Sequence, residues 1–223
     1  MSIRLVVGLG NPGKEYERTR HNAGFWLVER FAQANAVVLR KDPKFKALVG
    51  RQGAGAWFLL PQSFMNLSGQ PVQMLAGFFR IKPEEILVAH DELDFAPGVA
   101  RIKQGGGIAG HNGLRDISQR LGSHEYWRLR LGVGKPPAGT EGGDYVLHKP
   151  AAEDKALIDQ AIERSLQVLP EMLKGDMQGA IHKLHSGEPK PVEKKEPPVK
   201  EPEPQKAAEP KKAGLLGSLF GKK

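Results

Sequence analysis

The chain has 223 residues, 39% of them hydrophobic, enough for one good-sized folded domain plus extras. It contains no cysteine, which excludes disulfides, thiolate nucleophiles and Cys-type zinc sites and fits a reducing cytoplasm. No window approaches about 18 uninterrupted apolar residues, and the short N-terminal apolar run has no small-residue cleavage site behind it, so neither a membrane span nor a signal peptide is expected.

In chain order, Ile3–Leu9 reads as a buried strand, followed by a helix over about Ala23–Asn35 with Phe25, Leu27, Val28 and Phe31 apolar. Strands are expected near Ala47–Arg51 and Ala56–Leu60, and a helix around Gln70–Arg80 sets Val72, Leu75 and Phe79 on one side. Ile86–His90 is a second buried strand, and Val99–Lys103 alternates with Arg101 and Lys103 on one face. A helix near Asn112–Leu121 leads to Trp127–Val133, where Trp127, Leu129, Leu131 and Val133 point one way and Arg128 and Arg130 the other. Two helices, roughly Ala152–Leu169 and Asp176–His185, are expected to be split by Pro170. The pattern is α/β: a single domain over residues 1–187 with a twisted mixed β-sheet flanked by helices.

Residues 188–223 differ in kind. The segment "EPKPVEKKEPPVKEPEPQKAAEPKK" has almost nothing to bury, so a disordered, partly extended tail is expected. It closes on "AGLLGSLFGKK", a short apolar-basic segment whose glycines argue against a stable isolated helix and whose partner is unknown. The formal charge of the chain is +8, and the tail, with nine Lys and six Glu, carries +3 of it. The remaining +5 makes the folded part itself basic and points to a polyanionic partner.

The opening stretch "RLVVGLGNPGKEY" fits G-x-G-x-x-G through Gly8, Gly10 and Gly13. A dinucleotide turn needs its helix to begin inside that fingerprint and an acid about 20 residues on. Here Pro12 removes one N–H donor, Lys14 to His21 show no helical period, and Gln33 to Arg40 contains no carboxylate. The glycines are expected instead to form a tight strand-end turn that presents Asn11 and lets another part of the chain come close.

Polar residues gather beside glycines at the expected strand ends in four segments: "GNPGKEYERTRHNAGF", "SFMNLSGQ", "AHDELDFAPG" and "GGGIAGHNGLRDI". They carry Asn11, His21, Asn66, His90, Asp91, His111 and Asn112. Taken singly, each has a bland explanation: surface histidines, a turn-capping Asp91, a helix start at Asn66 or Ser68, a mobile glycine linker. No H-x-x-x-H or H-x-x-E-H spacing supports a metal, so none is expected. "NLSGQ" is not a nucleophile elbow. A hydrolase built from these residues would use water as nucleophile, a histidine as general base and a carboxylate to hold its tautomer.

Four runs, "VGLGNPGKEYERTRHNAGF", "SFMNLSGQPV", "ILVAHDELDFAPGVARIKQGGGIAGHNGLRDI" and "WRLRLGVGKP", resemble the bacterial peptidyl-tRNA hydrolase family in order and spacing, over roughly Ile3 to His185. The resemblance implies a monomeric, cytoplasmic α/β enzyme without a cofactor. Its reaction is cleavage of the ester joining a peptide, or an N-blocked amino acid, to the 3′ ribose of tRNA, which recycles tRNA from peptidyl-tRNA released during translation. It implies His21 as catalytic base and Asp91 as its support, with Asn11 discriminating peptidyl from aminoacyl substrates. It places Tyr16, Phe64, Asn66 and Asn112 at substrate-contact positions, with Met65 beside them, and Arg101, Lys103 and Arg130 against the phosphates of the tRNA acceptor stem. The alternating cations suit a phosphate backbone read without base specificity. Two other readings stay open at this level: an RNA-binding protein on the same scaffold without hydrolysis, and, less favoured, a dinucleotide oxidoreductase.

Overall fold

The computed structural model describes residues 2–187. The Pro/Lys/Glu-rich segment from Glu188 and its apolar-basic end lie outside the described residues.

Seven strands, β1 (Leu5–Gly8), β2 (Arg40–Asp42), β3 (Ala47–Arg51), β4 (Trp57–Pro61), β5 (Ile86–Glu92), β6 (Ala100–Gln104) and β7 (Trp127–Gly132), form one sheet in the order β2-β3-β4-β1-β5-β7-β6. β1 runs parallel to β4 and β5, and β5 parallel to β7, while β2, β3 and β6 join antiparallel. The helices are α1 (Ala23–Ala34), α2 (Gly69–Phe78), α3 (Asn112–Leu121), α4 (Gly142–Val146), α5 (Ala152–Lys174) and α6 (Met177–Ser186). The expected mixed sheet flanked by helices is therefore the architecture observed.

The central strands are apolar on both sides, so both faces of the sheet must be covered. Val6, Phe58, Leu60, Leu87 and Leu129 pack with residues of α1, α5 and α6 in one core. Leu5, Val7, Leu59, Ile86 and Val88 pack with residues of α2 and α3 in the other. On α1 the buried Leu27, Val28 and Phe31 follow the helical period, and Phe31 stacks on Phe58 with ring centroids 4.9 Å apart.

The glycines of the opening turn serve close approach. A Cβ on Gly8 would run into the Gly24 carbonyl, and a Cβ on Gly24 into that of Ala89. The N-terminus of α1 can therefore lie directly on β1 and β5. The first helical turn after β1, a short 3-10 turn at Arg20–Asn22, comes 12 residues beyond Gly8, too late for a dinucleotide turn.

One expectation is corrected. Pro170 does not split the last helices: α5 runs through it to Lys174. Proline removes one backbone hydrogen bond, yet Val168, Leu169 and Met172 on either side are buried in the core and hold the helix together. The break falls instead at Gly175, with φ +97°, after which the Asp176 carboxylate caps α6 by accepting from the Gly179 N–H at 2.9 Å. The four segments do sit at strand ends, as expected, but not all at one edge of the sheet. Three follow the carboxyl ends of the parallel strands β1, β4 and β5, whereas the fourth follows β6, which is antiparallel and ends at the opposite edge. Its glycine-rich loop must travel back along the sheet to bring His111 and Asn112 to the others.

Candidate active site

The carboxyl ends of β1, β4, β5 and β7 open into one cavity of about 610 Å³. Crevices at this edge of α/β sheets are where ligands bind. Its walls include Asn11 from the turn after β1, Phe64, Met65 and Asn66 after β4, and Asp91 at the end of β5. They also include His21, the loop carrying His111 and Asn112, and Lys103 and Arg130 from β6 and β7.

Asp91 is 4% exposed and organises the centre. His21 Nδ1 lies 2.9 and 3.0 Å from its two carboxylate oxygens, and His111 Nε2 lies 3.1 Å from Oδ1. An ionised carboxylate only accepts, so His21 carries its proton on Nδ1 and presents the Nε2 lone pair on the cavity side. His111 is fixed from its other nitrogen. It is the N-cap of α3, its Nδ1 accepting from the N–H groups of Gly113 and Leu114 at 3.2 and 3.4 Å. Its proton therefore sits on Nε2 and is donated to Asp91.

The electrostatics follow. Burial disfavours the His21 cation, but the Asp91 charge and hydrogen bond outweigh this and raise its pKa above the ordinary 6.5. Burial likewise opposes the Asp91 carboxylate, yet the two facing imidazoles hold its pKa well below the ordinary carboxyl range. His90, one residue earlier, also borders the cavity, its ring centroid 5.1 Å from that of His111. Burial, with the neighbouring His111, pushes its pKa down to about 3, so it stays neutral and donates from Nδ1 to the Asp91 main-chain carbonyl at 2.7 Å.

One ring nitrogen each of His21 and His111 and an Asp91 oxygen lie within 4.8 Å of one another, close enough to hold a metal. The hydrogen-bond directions disfavour it. A histidine bound through Nε2 carries its proton on Nδ1. On His111 that proton would face the Gly113 and Leu114 N–H groups, and the helix would lose its cap.

Three carboxamides border the centre. Asn11 is locked: its N–H donates to Asn22 Oδ1 at 2.8 Å, Asn22 Nδ2 donates to its carbonyl at 2.9 Å, and its own Oδ1 accepts from the Met65 N–H at 2.7 Å. With that oxygen engaged, the Asn11 amide hydrogens remain for the cavity. Asn112 Oδ1 accepts from Arg115 at 2.9 Å, which likewise leaves its NH2 group as donor. Asn66 is exposed on the cavity wall.

Two buried arginines hold the walls. Arg20, beside His21, donates to the carbonyls of Tyr145, His148 and Lys149 at 3.4, 3.1 and 3.0 Å and lies 3.9 Å over the Tyr145 ring. It thereby ties the wall around Gly142–Leu147 to the turn that carries His21. Arg128 donates to the carbonyls of Gly106, at 2.7 Å, and Gly107, which holds down the glycine-rich loop. Its charge is thus turned inward, although it shares a face with Arg130.

Of the residues singled out in the sequence, His21, Asp91, Asn11, Phe64, Met65, Asn66, Asn112, Lys103 and Arg130 all line the cavity. Tyr16 stands at its rim, edge-on to Phe64 with ring centroids 6.5 Å apart. Arg101 lies outside the lining, directly across from Arg130, and the two guanidinium groups sit 5.6 and 4.3 Å from the Phe95 ring. Arg130 is also paired with the buried Glu92, its Nε donating to Oε2 at 2.9 Å. Sequence reasoning gave no role to Asn22, Glu92, Arg20 or α4, and read Arg128 only as one of the alternating cations. His111 was singled out among the gathered polar residues but given no role of its own; its part depends on the direction of a helix cap.

A family model for peptidyl-tRNA hydrolase matches residues 5–194. A peptidyl-tRNA hydrolase of Thiobacillus denitrificans is 53% identical over 194 residues, covering 87% of this chain and 96% of its own. One of Pseudomonas aeruginosa is 53% identical over 189 residues, covering 83% and 97%. The crystal structure of peptidyl-tRNA hydrolase from Acinetobacter baumannii superimposes with a TM-score of 0.80 at 43% identity, covering 83% of this chain and 96% of that one.

Proposed function

Starting from a chain that belongs to the peptidyl-tRNA hydrolase family and hydrolyses peptidyl-tRNA, we propose that His21 is the general base and Asp91 its fixed support. The observation that carries this is the His21 Nδ1–Asp91 hydrogen bond at 2.9 Å, which leaves the Nε2 lone pair on the cavity side. Water bound at Nε2 gives up a proton as its oxygen attacks the carbonyl carbon of the ester. The imidazolium so formed is stabilised by the ionised Asp91, which His111 holds from its other side. The tetrahedral intermediate places negative charge on the former carbonyl oxygen, and an NH2 group of Asn11, Asn66 or Asn112 is the donor for it. Collapse breaks the bond to the ribose 3′ oxygen, which takes the proton back from His21 Nε2.

The locked Asn11 amide also suits recognition of a peptide carbonyl that a free aminoacyl ester lacks, so Asn11 is the discriminating residue in this reading. Phe64, Met65 and Tyr16 border the peptide side. Lys103, Arg130 and, beyond the cavity, Arg101 face the acceptor-stem phosphates. In this reading the enzyme acts as a monomer. No helix among the described residues is long and apolar enough to cross a membrane. The place of action in this reading is the cytoplasm, where peptidyl-tRNA is released.

The test is release of an N-acetylated amino acid from tRNA by the wild type and by His21→Ala. Comparable rates in the two would remove His21 from its role. Tight tRNA binding by the wild type without turnover would favour an RNA-binding protein instead.

A further inference from the structure

Helix α2 is amphipathic in an unexpected way. Its inner face buries Val72, Leu75 and Ala76, yet the outward face, which water normally fills with polar groups, sets two large apolar side chains, Met74 and Phe78, beside Gln73 and Gly77. Among the described residues six large apolar side chains are exposed, and four of them lie between positions 64 and 78: Phe64 at 59%, Leu67 at 46%, Met74 at 36% and Phe78 at 58%. A fifth, Leu147, lines the cavity, as Phe64 does. Leu67, Met74 and Phe78 are spaced seven and four residues apart, with Gln70 between the first two, and so lie along one side. Exposed apolar surface of this kind marks a binding site more often than chance.

The stripe begins at the cavity mouth. Leu67 follows Phe64 by one 3-10 turn, its N–H donating to the Phe64 carbonyl at 2.8 Å. From there α2 descends along the flank of the molecule, where Lys46 donates to Gln70 at 3.2 Å and Lys44 Nζ sits 3.3 Å from the Phe78 ring centroid. The sheet order sets the direction. Asn11 and Asp91 belong to the central β1 and β5, the cations Lys103 and Arg130 to β6 and β7 on one side, and Phe64 to the loop after β4 on the other. An ester with its nucleotide toward the cations therefore sends its peptide toward Phe64. A cavity of about 610 Å³ holds only the first few residues of a peptide. α2 adds about 14 Å at 1.5 Å per residue, the span of about four extended residues.

We propose that the outward face of α2, Leu67 through Met74 to Phe78, continues the cavity as an apolar track for the distal residues of the substrate's peptide. The proposal rests on the peptidyl-tRNA reading. It makes turnover depend on the length and hydrophobicity of the peptide, beyond the residues next to the ester.

The experiment compares the full chain with Met74→Gln and Phe78→Ser on three substrates with one tRNA: N-acetyl-aminoacyl-tRNA, an octapeptidyl-tRNA with apolar distal residues, and one with Ser and Gly there. The expected result is a KM for the apolar octapeptide lower than for the polar one. Each variant should raise that KM about three- to tenfold, with kcat and the acetylated substrate unaffected. Equal KM values for the two octapeptides in the wild type would overturn the track. A rise for all three substrates would overturn it too, and would assign the face to tRNA. Phe78 touches Phe45 and Phe79, so Met74→Gln, which alters only an exposed side chain, decides the matter if Phe78→Ser lowers the melting temperature. Failure of the wild type on the acetylated substrate is a separate result, because it would strike the hydrolase reading itself.

Discussion

Around Asp91 the side chains are buried and cross-bonded: His21 and His111 both donate to one carboxylate, and Asn11 is held at three of its polar atoms. On the β6–β7 face the cations are arranged more loosely. Lys103 is exposed, Arg101 and Arg130 share the Phe95 ring, and Arg130 is also paired with Glu92. The contrast matches two kinds of chemistry. Proton transfer from water needs one tautomer and near-fixed geometry, and a displacement of about 1 Å can cost about 10²-fold. Attraction between cations and phosphates falls off slowly with distance and tolerates mobile side chains.

The largest effect should therefore come from the rigid end. His21→Ala is expected to lower kcat by about 10²–10⁴-fold while leaving the Kd for tRNA nearly unchanged, as measured by filter binding. A comparable loss of binding would mean that the two ends are not separable.

Asp91→Asn should cost about 10²-fold and also move the pH profile. In the wild type the base must be neutral, so kcat/KM rises with pH through the His21 ionisation. The Asp91 carboxylate raises that pKa, so the midpoint is expected above 6.5. Asparagine removes the attraction and leaves burial, which disfavours the cation, so the rising limb should shift to lower pH as the plateau falls. A limb that stays in place would assign the ionisation to another group.

Much of the architecture could be read directly. α3 has the bounds its period implied, Asn112–Leu121, and the alternation around Arg101 and Lys103 gave β6 to within one residue. Local pattern carries such elements, because the period of apolar residues is the period of burial. The parts that escaped depend on contacts between distant segments. Arg128 and Arg130 look equivalent in "WRLRLG", yet the returning glycine loop sets its carbonyls over Arg128, which is buried, whereas the half-exposed Arg130 pairs with Glu92. Arg20 reads as one more cation in "ERTRHN", yet it anchors a segment some 125 residues away. Pro170 reads as a break because its local cost is visible, whereas the core packing that offsets it is not.

His111 gives a smaller effect that also tests the rigid end. Its removal strips α3 of its cap, at about 1 kcal/mol, and Asp91 of one donor. For a chain of this size each kcal/mol lowers the melting temperature by about 2–4 °C. His111→Asn keeps a capping residue but no longer carries the imidazole that reaches Asp91, so it should recover stability relative to His111→Ala without recovering activity. Equal activity in the two variants and the wild type would remove His111 from the support of Asp91.

The smallest effects belong to the loosely held end, and they separate its cations. Removing one cation that meets a phosphate should flatten the log–log salt dependence of tRNA binding by about 0.7–0.9. Lys103→Ala is expected to show that full decrement. Arg130→Ala should show less, because Glu92 already offsets part of its charge, and it should also destabilise the fold by leaving Glu92 buried without its partner at 2.9 Å. Arg101→Ala should weaken binding with a smaller penalty to the fold, since Arg101 is exposed and lies outside the cavity. The melting temperature thus distinguishes two residues that sit directly across from each other on β6 and β7. Slopes unchanged in all three variants would place the tRNA on another surface and leave the basic strand pair without its ligand.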